Sequence, residues 1–271
     1  LLNIPDEGHA KIDKEIGFDV DTVPIFISNP DLVEQQLADA ESQSPKSIPL
    51  EKIHGVDPLK AIKRRIFQYT FKYLTSITDE SVLLRKEIEG YTDQIRTGEV
   101  NPQDPLQMNG TEFAPHTIEA AAIYNVVTRL STENLDDSLD LVDKAMLYDR
   151  GYIETDDGRK YIDEFDIEEI AIDGDFGIPV TYTRDVLRSM IHSSNGDEED
   201  VVLPEDALDI VVDGLSEAPI FGETEEKQFD DRIIPVREYI DQRQQMDVIE
   251  SILSDRQATE QAVTEYVDNL Y

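Results

Sequence analysis

The spacing of apolar positions changes along this 271-residue chain, and the changes divide it. In the first quarter the apolar residues come in short β-branched runs. Val23 to Pro30 reads VPIFISNP, which predicts a buried strand over Thr22–Ser28 ending on the polar pair Ser28-Asn29. Ile12–Phe18, with Asp13 and Gly17, leads into it as a turn-linked approach. Pro30 suits the first position of a helix and Asn29 can cap it, so Asp31–Ala40 follows as a short helix. After the polar loop Glu41–Pro49, Asp57-Pro58 makes a second such start, with Leu59, Ile62 and Ile66 as its stripe. Phe67, Tyr69, Phe71 and Tyr73 then alternate, the period of a strand.

From Thr78 the period becomes helical. Thr78 is placed to cap Asp79–Arg96, with Val82, Leu83, Ile88, Tyr91 and Ile95 on one side. Glu99–Glu112 is a loop rich in Pro, Asn and Gly. Pro115 opens a helix with an apolar face of Ile118, Ala122, Val126 and Leu130, and a further helix spans about Asp136 to Asp149 before Gly151. YIETDDGRKYIDEF (Tyr152–Phe165) predicts a β-hairpin turning through Asp156-Asp157-Gly158. Ser193–Asp200 is a charged loop, and Pro204–Val212 is a short helix backed by Gly214. Two closing helices are expected over Ile234–Leu253 and Gln257–Leu270. No fixed-period repeat occurs. The expected fold is mainly α with a small α/β portion, in three parts: 1–77, 78–192 with the hairpin 152–165, and 193–271.

Charge changes this picture. Sixty Asp and Glu stand against 24 Lys and Arg, a formal net charge of −36, with the acids spread along almost every segment. Such a surface suits concentrated salt, where the Debye length falls to about 3 Å at 1 M and self-repulsion is screened. A halophilic cytoplasm is the expected setting. The alternative is an acidic protein with a basic partner. The surface argues against nucleic acid as a partner, since phosphate-backbone binding needs clustered cations. Helices before a β-hairpin also suit a winged-helix-like unit, but Glu154, Asp156, Asp157, Asp163 and Glu164 argue against DNA contact, and a packing element in a helical lid is the better reading. There is no cysteine, hence no disulfide or thiolate metal site. No apolar run approaches the roughly 18 residues of a membrane span, and no signal peptide opens the chain. The chain opens on Leu1-Leu2 rather than Met and closes in helical sequence at Leu270-Tyr271, so both ends read as cut.

The candidate chemistry lies near the N-terminus. A strand that delivers Asn29, with the basic pair Arg64-Arg65 some 35 residues later, looks like the second half of a P-loop ATPase. The first half is missing: no G-x-x-x-x-G-K-[ST] occurs, so nothing cradles phosphates and no Lys reaches the β/γ oxygens. His9, His54, His116 and His192 are scattered without metal-ligand spacing, and no metal site is expected. His116, behind Pro115 at a helix start, reads as structural. Carboxylate pairs are too frequent here to indicate acid–base chemistry.

Five stretches together resemble the PrkA-type serine protein kinase family. They are RRIFQYTFKYLTSITDE (Arg64–Glu80), FAPHTIEAAAIYNVVTRL (Phe113–Leu130), KAMLYD (Lys144–Asp149), GIPVTYTRDVL (Gly177–Leu187) and VTEYVDNLY (Val263–Tyr271). The resemblance implies an AAA+ ATPase module followed by a helical lid and a helical C-terminal region, with the Walker A loop upstream of Leu1. It implies ATP and Mg as cofactors, a protein Ser/Thr substrate and a homo-oligomer. Asn29 matches the sensor-1 position, where a neutral donor beside the phosphates is needed; helix capping alone is the other reading of the same side chain. Arg65 matches the arginine presented to a neighbouring subunit's nucleotide, a role that suits a permanently charged, forked guanidinium. Arg64 is the alternative, and an ordinary basic pair beside a strand is the plain one. The family carries a phosphate-sensing arginine four residues after a Gly that matches Gly177, but Thr181 stands there in this chain. Arg184, one helical turn on, is the candidate substitute, and a surface ion pair is its other reading. A non-enzymatic acidic helical module that binds a basic protein is the competing function.

Overall fold

The computed structural model describes residues 9–11, 17–19 and, with short breaks, 69–268. The chain forms two compact units, Leu1–Phe71 and Lys72–Tyr271. In the first, β1 (His9–Lys11) pairs antiparallel with β2 (Gly17–Asp19), His9 opposite Asp19. The expected strand Thr22–Ser28, the helices after Pro30 and Pro58, and the expected ATPase core lie outside the described residues. The alternating aromatics give no strand where they are described. Tyr69 and residues 71–76 lie outside any helix or strand, and Tyr69 and Phe71 are exposed. From Lys72 onward the backbone finds another partner: the Tyr73 N–H donates to the Gly174 carbonyl at 2.8 Å, so a turn replaces a sheet neighbour.

The second unit is mainly helical, with two small sheets. Helix α1 (Ile77–Glu89) starts two residues earlier than its sequence suggests, because Ser76 accepts from the Asp79 N–H and caps it, and it ends at Gly90 rather than running to Arg96. Thr78 is instead held by Asp149, which accepts from its N–H at 2.8 Å and its hydroxyl at 2.9 Å. The expected loop 99–112 contains a hairpin of β3 (Leu106–Met108) and β4 (Thr111–Phe113). Its turn is Asn109-Gly110, both at positive φ (53° and 90°), the conformation that Asn-Gly pairs favour in tight hairpins. Arg85 of α1 braces the approach, donating to the carbonyls of Asn101, Asp104 and Pro105. Strand β7 (Asp200–Val202) adds to β4 in parallel, giving the order β3-β4-β7. The other sheet is the predicted hairpin, β5 (Tyr152–Thr155) with β6 (Gly158–Tyr161); residues Ile162–Glu164 close it as a 3₁₀ turn rather than as strand.

Helix α2 (Thr117–Arg129) is the centre of the unit, and all thirteen of its residues are buried. Around it pack α1, α3 (Leu141–Arg150), α4 (Val180–Ser193), α5 (Pro204–Asp213) and the first turns of α7 (Ile233–Asp268). A helix enclosed on all sides needs small residues at its closest approaches, and Ala120-Ala121-Ala122 supply them with no exposed surface. The α2 hydroxyl of Tyr124 donates to the Phe229 carbonyl at 2.9 Å, and burial pushes its pKa up. At the C-terminal end of α2, Arg232 donates to the carbonyls of Val127, Thr128 and Leu130, placing positive charge where the helix presents unpaired C=O groups. Both sides of the expected boundary at 192/193 pack into this unit.

Two elements differ from expectation. Helix α6 (Glu223–Asp231) has a single buried residue, Phe229, too little periodicity to announce itself. The two closing helices are one, α7, of 36 residues. The polar Ser254-Asp255-Arg256-Gln257 between them contains neither Pro nor Gly, so nothing interrupts the backbone ladder. The first turns bury Ile233, Val236 and Ile240, and Arg237 ties them to Glu205 and Asp209 of α5. Farther on, Met246, Val248, Ile249, Ile252 and Leu253 are exposed. No helix among the described residues is long and apolar enough to cross a membrane.

Candidate functional site

The sequence motifs meet in space around one buried ion pair. Arg129, the last residue of α2, faces Glu80 of α1; each side chain is 1% exposed. The pair is bidentate, with Nη1 to Oε2 and Nη2 to Oε1 both at 2.7 Å. Nε and Nη2 also donate to the Ile178 carbonyl (3.1 and 2.7 Å), and Nη1 donates to the Leu74 carbonyl (2.9 Å). These bonds occupy all five guanidinium N–H groups, the condition under which burying such a charge is tolerable. The Tyr73 ring lies 5.1 Å from the guanidinium carbon.

Polar neighbours complete the arrangement. Asn125 Nδ2 donates to Glu80 Oε1 at 2.8 Å, while its Oδ1 accepts from the Thr183 hydroxyl of α4 at 2.7 Å. Thr128 Oγ1 accepts from the Ile178 N–H at 3.0 Å. Gly177 sits directly against Arg129: a Cβ there would lie 2.5 Å from Arg129 Cγ, and its φ of +115° is one that side-chain-bearing residues rarely adopt. The glycine singled out by its match to the family thus has a packing reason to be one.

A second buried pair stands beside the first. Lys144 Nζ of α3 lies 2.9 Å from Asp173 Oδ2 and donates to the Ser131 carbonyl at 2.8 Å. Asp173 also accepts from the Ser131 N–H and the Tyr148 hydroxyl. Its own carbonyl accepts from Lys72 Nζ at 3.1 Å, and Lys72 pairs with Asp175 at 3.2 Å. The stretch Lys72–Thr78 is therefore held at successive points by the 173–175 turn, Arg129 and Asp149. Asp149 accepts from the Ser76 hydroxyl at 2.7 Å. Both polar ends of KAMLYD serve this seating, Lys144 through Asp173 and Asp149 through α1.

Of the site residues expected from sequence, Asn29 and Arg65 lie outside the described residues. Arg184 is on α4 with its side chain 23% exposed. Nη1 lies 3.0 Å from Glu87 Oε2 and Nε lies 2.8 Å from Asp185 Oδ1. The Asp185 and Glu87 carboxylates raise its pKa further, and Arg184 in turn holds the Asp185 carboxyl below its usual range. Thr181, where the resemblance implies an arginine, is exposed on the same helix. Among the described residues no group of three His, Asp or Glu could hold a metal ion. What the arrangement does is mechanical: it binds the segment leading into α1 to two further helices, α2 and α3, and to the 173–175 turn. Arg129, Glu80, Asn125, Lys144 and Asp173 were not singled out from sequence as site residues. The available signal was Asn125 and Arg129, polar residues four apart inside an apolar helix, which must bury their polar groups against partners.

Fold and motifs together define a helical domain whose polar core is built by Glu80, Asn125, Arg129 and the backbone of Ile178. Residues 142–271 match the family model of the PrkA serine protein kinase C-terminal domain. The match covers 130 of the 271 residues, and over that part the chain is similar to the family. No curated protein and no solved structure matches the chain.

Proposed function

We propose that the chain is the C-terminal part of an ATP-dependent serine protein kinase of the PrkA type, acting in a salt-adapted cytoplasm. The family match over residues 142–271 carries this reading. The convergence of three of the five resembling stretches on the Glu80–Arg129–Ile178 cluster supports it, with a fourth, KAMLYD, fastening the neighbouring Ser76–Thr78 and Asp173. The parent would transfer phosphate from Mg-ATP to Ser or Thr of protein substrates as a homo-oligomer, its phosphate-cradling loop lying outside these 271 residues. Asn29 would orient the reacting groups as the sensor, and Arg65 would reach a neighbouring subunit's nucleotide. Arg184 would serve the lid by exchanging Glu87 and Asp185 for phosphate oxygens.

The test is Arg65→Ala in the parent kinase. Nucleotide binding should stay nearly intact while turnover falls about 10³-fold or more, because the contact matters mainly as charge develops on the transferred phosphoryl group. Mixing that variant with a subunit defective in its own P-loop should restore part of the activity. Unchanged turnover would reject the role. The 271-residue chain by itself should show no phosphate transfer above background.

The charge of −36 favours a second reading, an acidic module that binds a basic protein. Salt separates the two: binding by charge weakens as KCl rises, whereas a salt-adapted fold melts at higher temperature in about 2 M KCl than in about 0.1 M.

A further inference from the structure

The long helix α7 leaves the body of the second unit at one charged contact. His116, 2% exposed, precedes the first turn of α2 at φ 68°. Its Nδ1 lies 2.6 Å from Glu119 Oε2 of α2, and its Nε2 lies 2.6 Å from Asp247 Oδ2 of α7. Beyond Ile240, which is buried, the residues of α7 from 241 to 254 are exposed except the half-buried Arg243 and Gln244. Asp247 is thus where the outer part of the helix is fastened.

Both contacts are short, and both face a carboxylate. Only an imidazolium can donate at each nitrogen; a neutral ring donates at one and turns a lone pair toward the other carboxylate. We propose that His116 is a proton-operated latch that holds the outer part of α7 against the body when charged and releases it when neutral. Glu119 is buried, belongs to the same helix and is further held by Gln103 Nε2 at 3.3 Å, so the neutral ring keeps that partner. Asp247 is 47% exposed and can be hydrated, so its contact is the one that opens.

The two carboxylates act on the ring in the same direction. Glu119 above all, and then Asp247, raise the pKa of His116 against the opposing effect of burial. The N-terminal end of α2 also disfavours the cation. Glu119 also acts on the Tyr239 hydroxyl of α7, whose pKa is raised by burial and which Arg150 of α3, Arg243 of α7 and Glu154 of β5 surround. Because the folded-state pKa of His116 exceeds that of a free histidine, the stabilisation is complete below the free value. It is lost as pH rises through the folded one.

The chain has no cysteine, so a spin-label pair at Gln107→Cys and Glu250→Cys reports this contact in the intact protein held in molar KCl. At pH 6 the interlabel distances should form one narrow distribution; at pH 9 they should broaden and lengthen. Asp247→Asn, a change at a half-exposed surface position, should give the broad distribution at both pH values and should move the His116 titration, followed by NMR, toward that of a free histidine. The same distribution at pH 6 and pH 9 would overturn the proposal. So would an Asp247→Asn protein that keeps the pH response, since another of the four histidines would then be responsible.

Discussion

Helix α2 and the outer part of α7 are helices of the same chain under opposite constraints. In α2 every residue is buried, including Asn125, Thr128 and Arg129, and each polar group has been given a partner. In α7 beyond residue 240 the apolar residues Met246, Val248, Ile249, Ile252 and Leu253 face outward, and Asp247 is the residue tied back to the body through His116. Apolar content alone does not decide burial. What distinguishes α2 is a run of alanines that lets neighbours approach and a polar end whose hydrogen bonds can all be satisfied by those neighbours.

The contrast is broken most severely at Glu80. Glu80→Ala leaves the Arg129 guanidinium buried without its carboxylate, which should cost about 3–5 kcal/mol and shift the urea midpoint far down. A small shift would mean that water enters to replace the carboxylate. Gly177→Ala should cost about 2 kcal/mol, since the new methyl meets Arg129 Cγ and the backbone keeps a left-handed φ. The matching relief is Gly177→Ala with Arg129→Ala: coupling between the two should be evident in a double-mutant cycle if the contact is the cause. Tyr124→Phe removes one buried donor, and about 1–2 kcal/mol should follow from leaving the Phe229 carbonyl unpaired. At the other extreme, Ile249→Ser in α7 should stay within about 0.5 kcal/mol, because the residue is exposed. A loss above about 1 kcal/mol there would show that something covers this face in solution.

Much of the helical frame was legible. Gly151 ends α3 as expected, and Pro204 with Gly214 brackets α5, because caps and breakers act through the local backbone. The β3–β4 hairpin was missed although Asn109-Gly110 announces its turn; the flanking strands are three residues each, too short for alternation to register. The start of α1 was misplaced because Ser76 and Thr78 are equally good caps by residue type. Asp149, about seventy residues away, takes Thr78 for itself and leaves Ser76 at the cap. The predicted junction within α7 failed for the opposite reason: a polar interval looks like a break, yet a helix needs no buried face to continue.

The sequence by itself determined the similarity of residues 142–271 to one family, the mainly helical class and the exceptional charge, all of which reside in residue type and order along the chain. It also pointed to Asn29 and Arg65, to Arg184 as the substitute for Thr181, and to Gly177 as a matched position, without a reason for the glycine. Only the tertiary structure decided that Gly177 must be small because Arg129 lies against it. The same holds for the pairing of Glu80 with Arg129 and of Lys144 with Asp173, and for Asp247 reaching His116 from 131 positions away. A chain this rich in carboxylates offers every cation many partners in sequence. Which one it takes depends on which is carried into the same dry volume, where an unpaired charge is costly enough to enforce the choice.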